Sequence, residues 1–172
     1  MKTIPTLLSA LIAASTLSAL ATDATSSNVV AAAPAHGAAD VAGSGYFERA
    51  RELVIHSLAL IGVNYKFGGN TPDDGLDCSG LVNHVFQQVA GLVLPRNSLA
   101  MSKVGNKIEK AKLQPGDLVF FNTRKQPFSH VGIYIGEQRF VHAASRGREV
   151  QVADMHDRYW RQRYNGARRV SF

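Results

Sequence analysis

Between Tyr46 and Ile61 apolar residues recur three or four positions apart, at Phe47, Ala50, Val54, Leu58 and Ile61. That spacing predicts a helix that packs through this stripe, with Gly62 ending it. Asn64 to Gly75 holds Gly68-Gly69 and Thr71-Pro72-Asp73-Asp74-Gly75, a glycine-rich turn region. A second helical pattern follows, with Leu81, Val82, Val85, Phe86 and Val89 on one face and Gly91 as its stop.

Beyond Pro95 the pattern changes. After the turn at Gln114-Pro115-Gly116 come five strand-like runs: Asp117 to Phe121, His130 to Ile135, Phe140 to Ala144, Val150 to Ala153 and Arg168 to Phe172. Short strands after two helices predict an α+β domain whose helices cover one face of an antiparallel sheet. In the central hairpin Val131, Ile133 and Ile135 alternate with His130, Gly132 and Tyr134. A three-residue loop of Gly136, Glu137 and Gln138 would pair Ile135 with Arg139 and Gly132 with His142, placing His130 and His142 on one face. A two-residue loop would put them on opposite faces. Gly132 favours the first register, since a missing side chain leaves space for two imidazoles.

The start of the chain reads differently. Met1-Lys2, the uncharged apolar stretch Leu7 to Leu20 and Ala19-Leu20-Ala21 make residues 1–21 an expected export signal, cleaved after Ala21. The stretch is short and interrupted by serines and threonines, which disfavours a membrane anchor. Residues 22–45 carry no aromatic and no basic residue except the terminal-side His36, and so predict a flexible leader. Residues 46–172 then form one domain. The whole chain has a net charge of +6, and loss of Lys2 with the signal leaves +5. From Arg139 onward there are eight Arg, no Lys and three acids, a composition suited to carboxylate or phosphate partners. Nucleic acid is disfavoured by the export signal.

Against that background the single cysteine, Cys78, changes the picture. Exported proteins usually carry cysteines in pairs, and an unpaired one cannot staple its own chain. Asp77-Cys78-Ser79-Gly80 follows the glycine-rich turn and precedes the second helix, so the thiol falls at a helix start, where the dipole favours thiolate. An ordinary thiol is only roughly 3 % ionised at pH 7, and an adjacent imidazole would raise that fraction by forming an ion pair. His130 is the candidate base, and His142 could orient its ring from the far nitrogen. His36, His56, His84 and His156 lie in the leader, in helices or in a charged segment, and read as surface or packing residues.

Tyr65-Lys66-Phe67-Gly68-Gly69, Asp77-Cys78-Ser79-Gly80-Leu81-Val82, Leu94-Pro95-Arg96, Leu113 to Phe121 and Ser129 to Gly136, in that order, resemble the NlpC-type cysteine peptidases. These are papain-like enzymes that cut the peptide stems of bacterial peptidoglycan. Asp157-Arg158-Tyr159-Trp160 and Tyr164 to Val170 resemble the Gram-negative murein endopeptidase branch. The resemblance implies Cys78 as nucleophile, His130 as base and His142 as orienting residue. Tyr65 would line the cleft and assist the oxyanion site, with the Cys78 backbone N–H as a further donor. Asp77 and Ser79 would be structural or substrate-lining, and Arg96 would meet a stem-peptide carboxylate.

The implied reaction is amide hydrolysis through a thioester, without metal or cofactor. D-alanyl-diaminopimelate cross-links are the favoured bond, with D-glutamyl-diaminopimelate as the alternative. The expected partners are peptidoglycan stem peptides, with no nucleic acid, no membrane span after signal cleavage and a monomeric enzyme in the periplasm, or secreted to the wall. No regulatory protein can be named from the sequence. Rival readings are an acyltransferase on the same fold, a catalytically silent wall-binding module, and a zinc site at Cys78, His130 and His142, which lacks paired-cysteine or HExxH spacing.

Overall fold

The structure, a computed structural model, describes residues 37–124, 126–145 and 149–171. The expected signal, and the leader as far as residue 36, lie outside the described residues.

The first helix, α1 (Gly37–Ala59), starts nine residues before the periodic stripe, inside the stretch expected to be a flexible leader. Its buried side is also not the predicted one. Ala50, Leu53 and Ser57 are buried, whereas Phe47, Leu58 and Ile61 are exposed. The reason is close approach: a Cβ at Gly116 would lie 3.3 Å from Ala50 and 3.4 Å from Leu53. Ala50 and Leu53 of α1 face a turn that must itself be small, and Phe47 and Leu58 are left outside.

A two-strand hairpin of β1 (Asn70–Thr71) and β2 (Gly75–Leu76) leads into α2 (Cys78–Ala90). This helix has well-defined ends. Asp77 caps its start, and Gly91 ends it in a left-handed conformation, with Gly91 N–H donating to Gln87 and Leu92 N–H to Phe86. A short helix, α3 (Ser98–Met101), is capped by Asn97.

The remaining strands are β3 (Asn106–Ile108), β4 (Leu118–Phe121), β5 (His130–Gly136), β6 (Arg139–Ala143), β7 (Val150–Asp154) and β8 (Tyr164–Arg169). They form one antiparallel sheet in the order β3-β8-β4-β5-β6-β7. The last strand begins four residues before the expected Arg168 start, and pairs with both β3 and β4. Phe172 is outside the described residues.

The sheet has two different faces. Leu118, Phe120, Val131, Ile133 and Val141 pack with Leu53 of α1 and Leu81, Val82, Val85 and Phe86 of α2. Val119, Phe121, Tyr134 and Phe140 form a smaller cluster on the other face with Met155 and Trp160, the latter from the short helix α4 (Arg158–Arg161). Among the described residues no helix is long and apolar enough to cross a membrane.

Two late arginines are part of the frame. Arg169 grips the fully buried Asp117 through two contacts of 2.8 Å, Nε to Oδ1 and Nη2 to Oδ2. The Gln114 N–H also donates to Asp117 Oδ2. Arg168 donates to the Ser102 carbonyl oxygen. Part of the arginine excess therefore serves carboxylate and carbonyl groups inside the chain.

Candidate active site

The helix start that carries Cys78 is assembled by a carboxylate. Asp77 Oδ1 accepts from Gly80 N–H at 2.6 Å and from Ser79 Oγ at 3.0 Å, and Oδ2 accepts from Gly68 N–H at 2.9 Å. Arg96 completes the arrangement. Its Nη1 lies 3.4 Å from Asp77 Oδ1 and from Ser79 Oγ, and its Nη2 donates to the carbonyls of Gly68 and Gly69 at 3.1 and 3.3 Å. A Cβ at Gly80 would overlap the Gly69 carbonyl oxygen, so the glycine is what lets the loop close over the helix. Asp77, Ser79 and Arg96 thus hold the glycine-rich loop against α2, and the Arg96 guanidinium is occupied by partners within the chain.

Cys78 itself points toward the sheet. The backbone N–H groups of Val131 and Ser79 hydrogen-bond its sulfur, which sets the thiol against the residue that follows His130. Tyr65 lies close to the same thiol and packs on the same core. Among the described residues the Cys78 N–H donates to no backbone carbonyl, as the first amide of a helix should not.

His130 and His142 come together as the alternation predicts. His130 Nε2 lies 3.0 Å from His142 Nδ1, and both residues are buried. The route to this register differs from expectation. Gly136, not Ile135, pairs with Arg139, and the loop has two residues, Glu137 and Gln138, both at positive φ (50° and 57°). Such a loop alone would reverse the faces, but an irregularity between Tyr134 and Gly136 adds one residue and restores them. Ile133 still opposes Val141, so Gly132 falls level with His142. The space at Gly132 is not given to the imidazoles. A Cβ there would meet Phe140 Cδ2 at 2.6 Å and the Val141 carbonyl at 2.7 Å.

Three further residues act on this pair without having been singled out for it. Gln151, paired with His142 across β6 and β7, brings its amide nitrogen within 3.5 Å of His142 Nε2. Trp160, the only tryptophan, stacks on His130 with ring centres 5.6 Å apart at 25°, and meets His142 at 4.9 Å. Arg124 donates to Tyr65 and sits 5.8 Å from the centre of the Phe67 ring. Of these only Trp160 carried a signal in the sequence, as a lone large aromatic beside charged residues. His56, His84 and His156 are elsewhere, and His156 faces Asp154.

The electrostatics oppose the ion pair expected from the sequence. Burial pushes the Cys78 thiol above its ordinary value and the Asp77 carboxylate adds to this, outweighing the Val131 and Ser79 amides and Arg124. Burial, followed by the neighbouring His142 and Arg124, holds His130 well below the usual histidine value. His142 is lowered to about 4 by burial, against a hydrogen bond at Ala143. The thiol and both imidazoles are therefore neutral at rest near pH 7. Tyr65 is raised, chiefly by burial and then by Cys78, and so keeps its phenolic proton.

Two hollows share Thr123, Ser145 and Tyr159. One, of about 710 Å³, is floored by His130, His142 and Trp160; the other, of about 600 Å³, is walled by Tyr65, Phe67 and Arg124. Among the described residues no group of His, Cys, Asp and Glu could hold a metal ion.

The profile of the NlpC/P60 family matches residues 62–169. The chain is 47% identical over 118 residues to the gamma-DL-glutamyl hydrolase of Bacillus subtilis (strain 168), covering 68% of this chain and 28% of that protein. It is 43% identical over 109 residues to the murein DD-endopeptidase MepS/murein LD-carboxypeptidase of Escherichia coli (strain K12), covering 63% and 56%. The crystal structure of an NlpC/P60 family protein from Bacillus cereus ATCC 10987 superposes with a TM-score of 0.64 at 31% identity, over 70% of this chain and 39% of that one. The chain thus spans less than two thirds of each of these relatives.

Proposed function

The chain belongs to the NlpC/P60 family, and on that footing we propose that it is a peptidoglycan endopeptidase that hydrolyses amide bonds of wall peptides with Cys78 as nucleophile. The observation that carries this reading is the site itself: a thiol at a capped helix start, hydrogen-bonded by Val131, the residue that follows His130, together with a His130–His142 pair in contact at 3.0 Å.

The geometry supports a general-base mechanism. In the productive tautomer His130 Nε2–H donates to His142 Nδ1, which leaves His130 Nδ1 to take the thiol proton as Sγ attacks the carbonyl carbon. His142 in turn is steadied by Gln151, whose amide can present its oxygen to His142 Nε2–H. The developing oxyanion meets the Cys78 N–H and the Tyr65 hydroxyl, which Arg124 already serves as a donor, leaving the phenolic proton free. His130 then passes its proton to the leaving amine, and afterwards takes one from the water that opens the thioester. Asp77, Ser79 and Arg96 act by fixing the helix start and the loop above it.

The D-alanyl-diaminopimelate cross-link is the favoured bond, supported by likeness to the Escherichia coli murein DD-endopeptidase. The 47% identity to a gamma-DL-glutamyl hydrolase favours a second reading, cleavage of the γ-linked D-glutamyl-diaminopimelate bond. Either reaction would take place in the periplasm or at the wall. Purified peptidoglycan fragments digested by the protein beside Cys78→Ala, with masses of the products, test the proposal. Water-cleaved cross-links from the wild type alone support it; equal release by both proteins overturns it, and transfer of the acyl group to an amine would make it an acyltransferase.

A further inference from the structure

Arg124 stands apart from the other arginines near the site. Arg96 and Arg169 are held by carboxylates, but among the described residues no carboxylate lies within ion-pair distance of Arg124. Its side chain is exposed, yet it is not on an open surface. It walls the 600 Å³ hollow with Tyr65, Phe67, Thr123, Ser145 and Tyr159.

Its backbone is pinned. Ser129 Oγ accepts from the N–H of Thr123 at 2.9 Å and of Arg124 at 3.1 Å, and the preceding Asn122 N–H donates to Arg163 at 2.7 Å. At the far end of the same loop Ser98 Oγ donates to the Phe128 carbonyl at 2.6 Å, and the Phe128 ring packs edge-on against Phe120 at 5.8 Å. The side chain is directed by two aromatic neighbours, the Tyr65 hydroxyl that accepts from it and the Phe67 ring. One tyrosine oxygen leaves most of the five guanidinium N–H donors unused, in a fork suited to a carboxylate. Tyr65 is also next to Cys78, so whatever Arg124 binds lies close to the reacting carbonyl.

We propose that Arg124 is the carboxylate receptor of the cleft, binding the free carboxylate on the carbon that bears the leaving nitrogen. This rests on the cross-link reading above. In a D-alanyl-diaminopimelate cross-link the leaving amine belongs to an amino-acid end of diaminopimelate, so its carbon carries a carboxylate one bond away. The charge that the stem resemblance would assign to Arg96 is thereby supplied by a residue whose donors are available. The nearby positive charge also opposes the upward push on the Cys78 thiol.

The test uses two cross-linked wall peptides that differ only in that carboxylate, free in one and carboxamide in the other, with wild type, Arg124→Gln and Arg124→Lys. Wild type should cut the carboxylate peptide at least tenfold better by kcat/KM, and Arg124→Gln should abolish that preference, losing at least tenfold more activity on the carboxylate peptide than on the carboxamide. Arg124→Lys should recover part of it, as a charge without the fork. Equal loss on both peptides in Arg124→Gln, at an unchanged melting temperature, overturns the inference, as does a wild type indifferent to amidation. A wild type that cuts neither peptide would instead overturn the endopeptidase reading on which this one stands.

Discussion

His130 Nε2 and His142 Nδ1 lie 3.0 Å apart with their rings nearly perpendicular, at 81°. This contact consumes one nitrogen of His130 and leaves the other as its only free proton site. In the mechanism proposed above the two histidines therefore have unequal tasks, one carrying the proton and one setting the ring that carries it.

Removal of the carrier should be far worse than removal of its support. His130→Ala is expected to match Cys78→Ala, with kcat down by about 10³-fold or more. His142→Ala should fall by roughly 10²-fold, the cost of a misplaced ring, and His142→Asn should recover part of this because its amide can still accept from His130. Steady-state kinetics on one defined wall peptide would check it, and equal losses in His130→Ala and His142→Ala would contradict the division of labour.

The site's protonation can be read chemically. A preformed ion pair would make Cys78 react with iodoacetamide in mild acid, whereas here burial raises the thiol and lowers the imidazole. A raised thiol loses its proton only above its ordinary value, so alkylation of the free enzyme should be slow at pH 7 and climb through the alkaline range. A lowered His130 stays neutral below pH 6.5, so hydrolysis should keep its rate into mild acid and fall only further down. Alkylation and kcat/KM profiles measured from pH 4 to 10 should accordingly separate. Rapid alkylation at pH 5 would show that the pair is ionised at rest.

The Asp117–Arg169 pair predicts a purely structural effect. Asp117 is fully buried, with both carboxylate oxygens engaged, and Arg169 is its only charged partner among the described residues. Arg169→Ala strands that charge and should cost about 3 kcal/mol of stability, as breaking a buried pair commonly does. Chemical denaturation would measure the loss. Cys78 alkylation should be unchanged in the folded protein, because the pair lies on β8 and the turn before β4, away from the thiol.

Much of this arrangement was legible in the chain. The glycine-rich turn before Cys78 and Gly91 after the helical stripe marked α2 at both ends, because turns and stops are local chemistry. Alternation along His130 to Ile135 placed the two histidines on one face. The route between them was not legible, since a two-residue loop and an added bulge residue give the same parity as the three-residue loop that alternation suggests. The packing side of α1 was hidden for a different reason. Periodicity picked out Phe47, Leu58 and Ile61, but the side that meets the Gly116 turn is the one carrying Ala50 and Leu53, a contact between distant parts of the chain that no local pattern records. Arg124 and Gln151 have no local signature at all, since their positions depend on a loop pinned by Ser129 and on pairing across β6 and β7.

Trp160 offers the sharpest separation of positioning from chemistry. Its ring stacks on His130 at 25° and also packs edge-on against Phe121 at 4.8 Å and Phe140 at 5.0 Å, so the indole is held by the sheet and in turn holds the imidazole. Trp160 offers His130 a ring face rather than a proton, and its loss should leave Cys78 and the substrate contacts in place. Trp160→Ala should therefore lower kcat by roughly 10²-fold with little change in KM, because the free imidazole can rotate away from the thiol. Trp160→Phe should restore most of the rate, since a smaller aromatic face still blocks that rotation. A variant at Trp160 that raised KM and left kcat intact would instead make the indole a substrate contact in the 710 Å³ hollow, and His130 would have to be held by His142 alone.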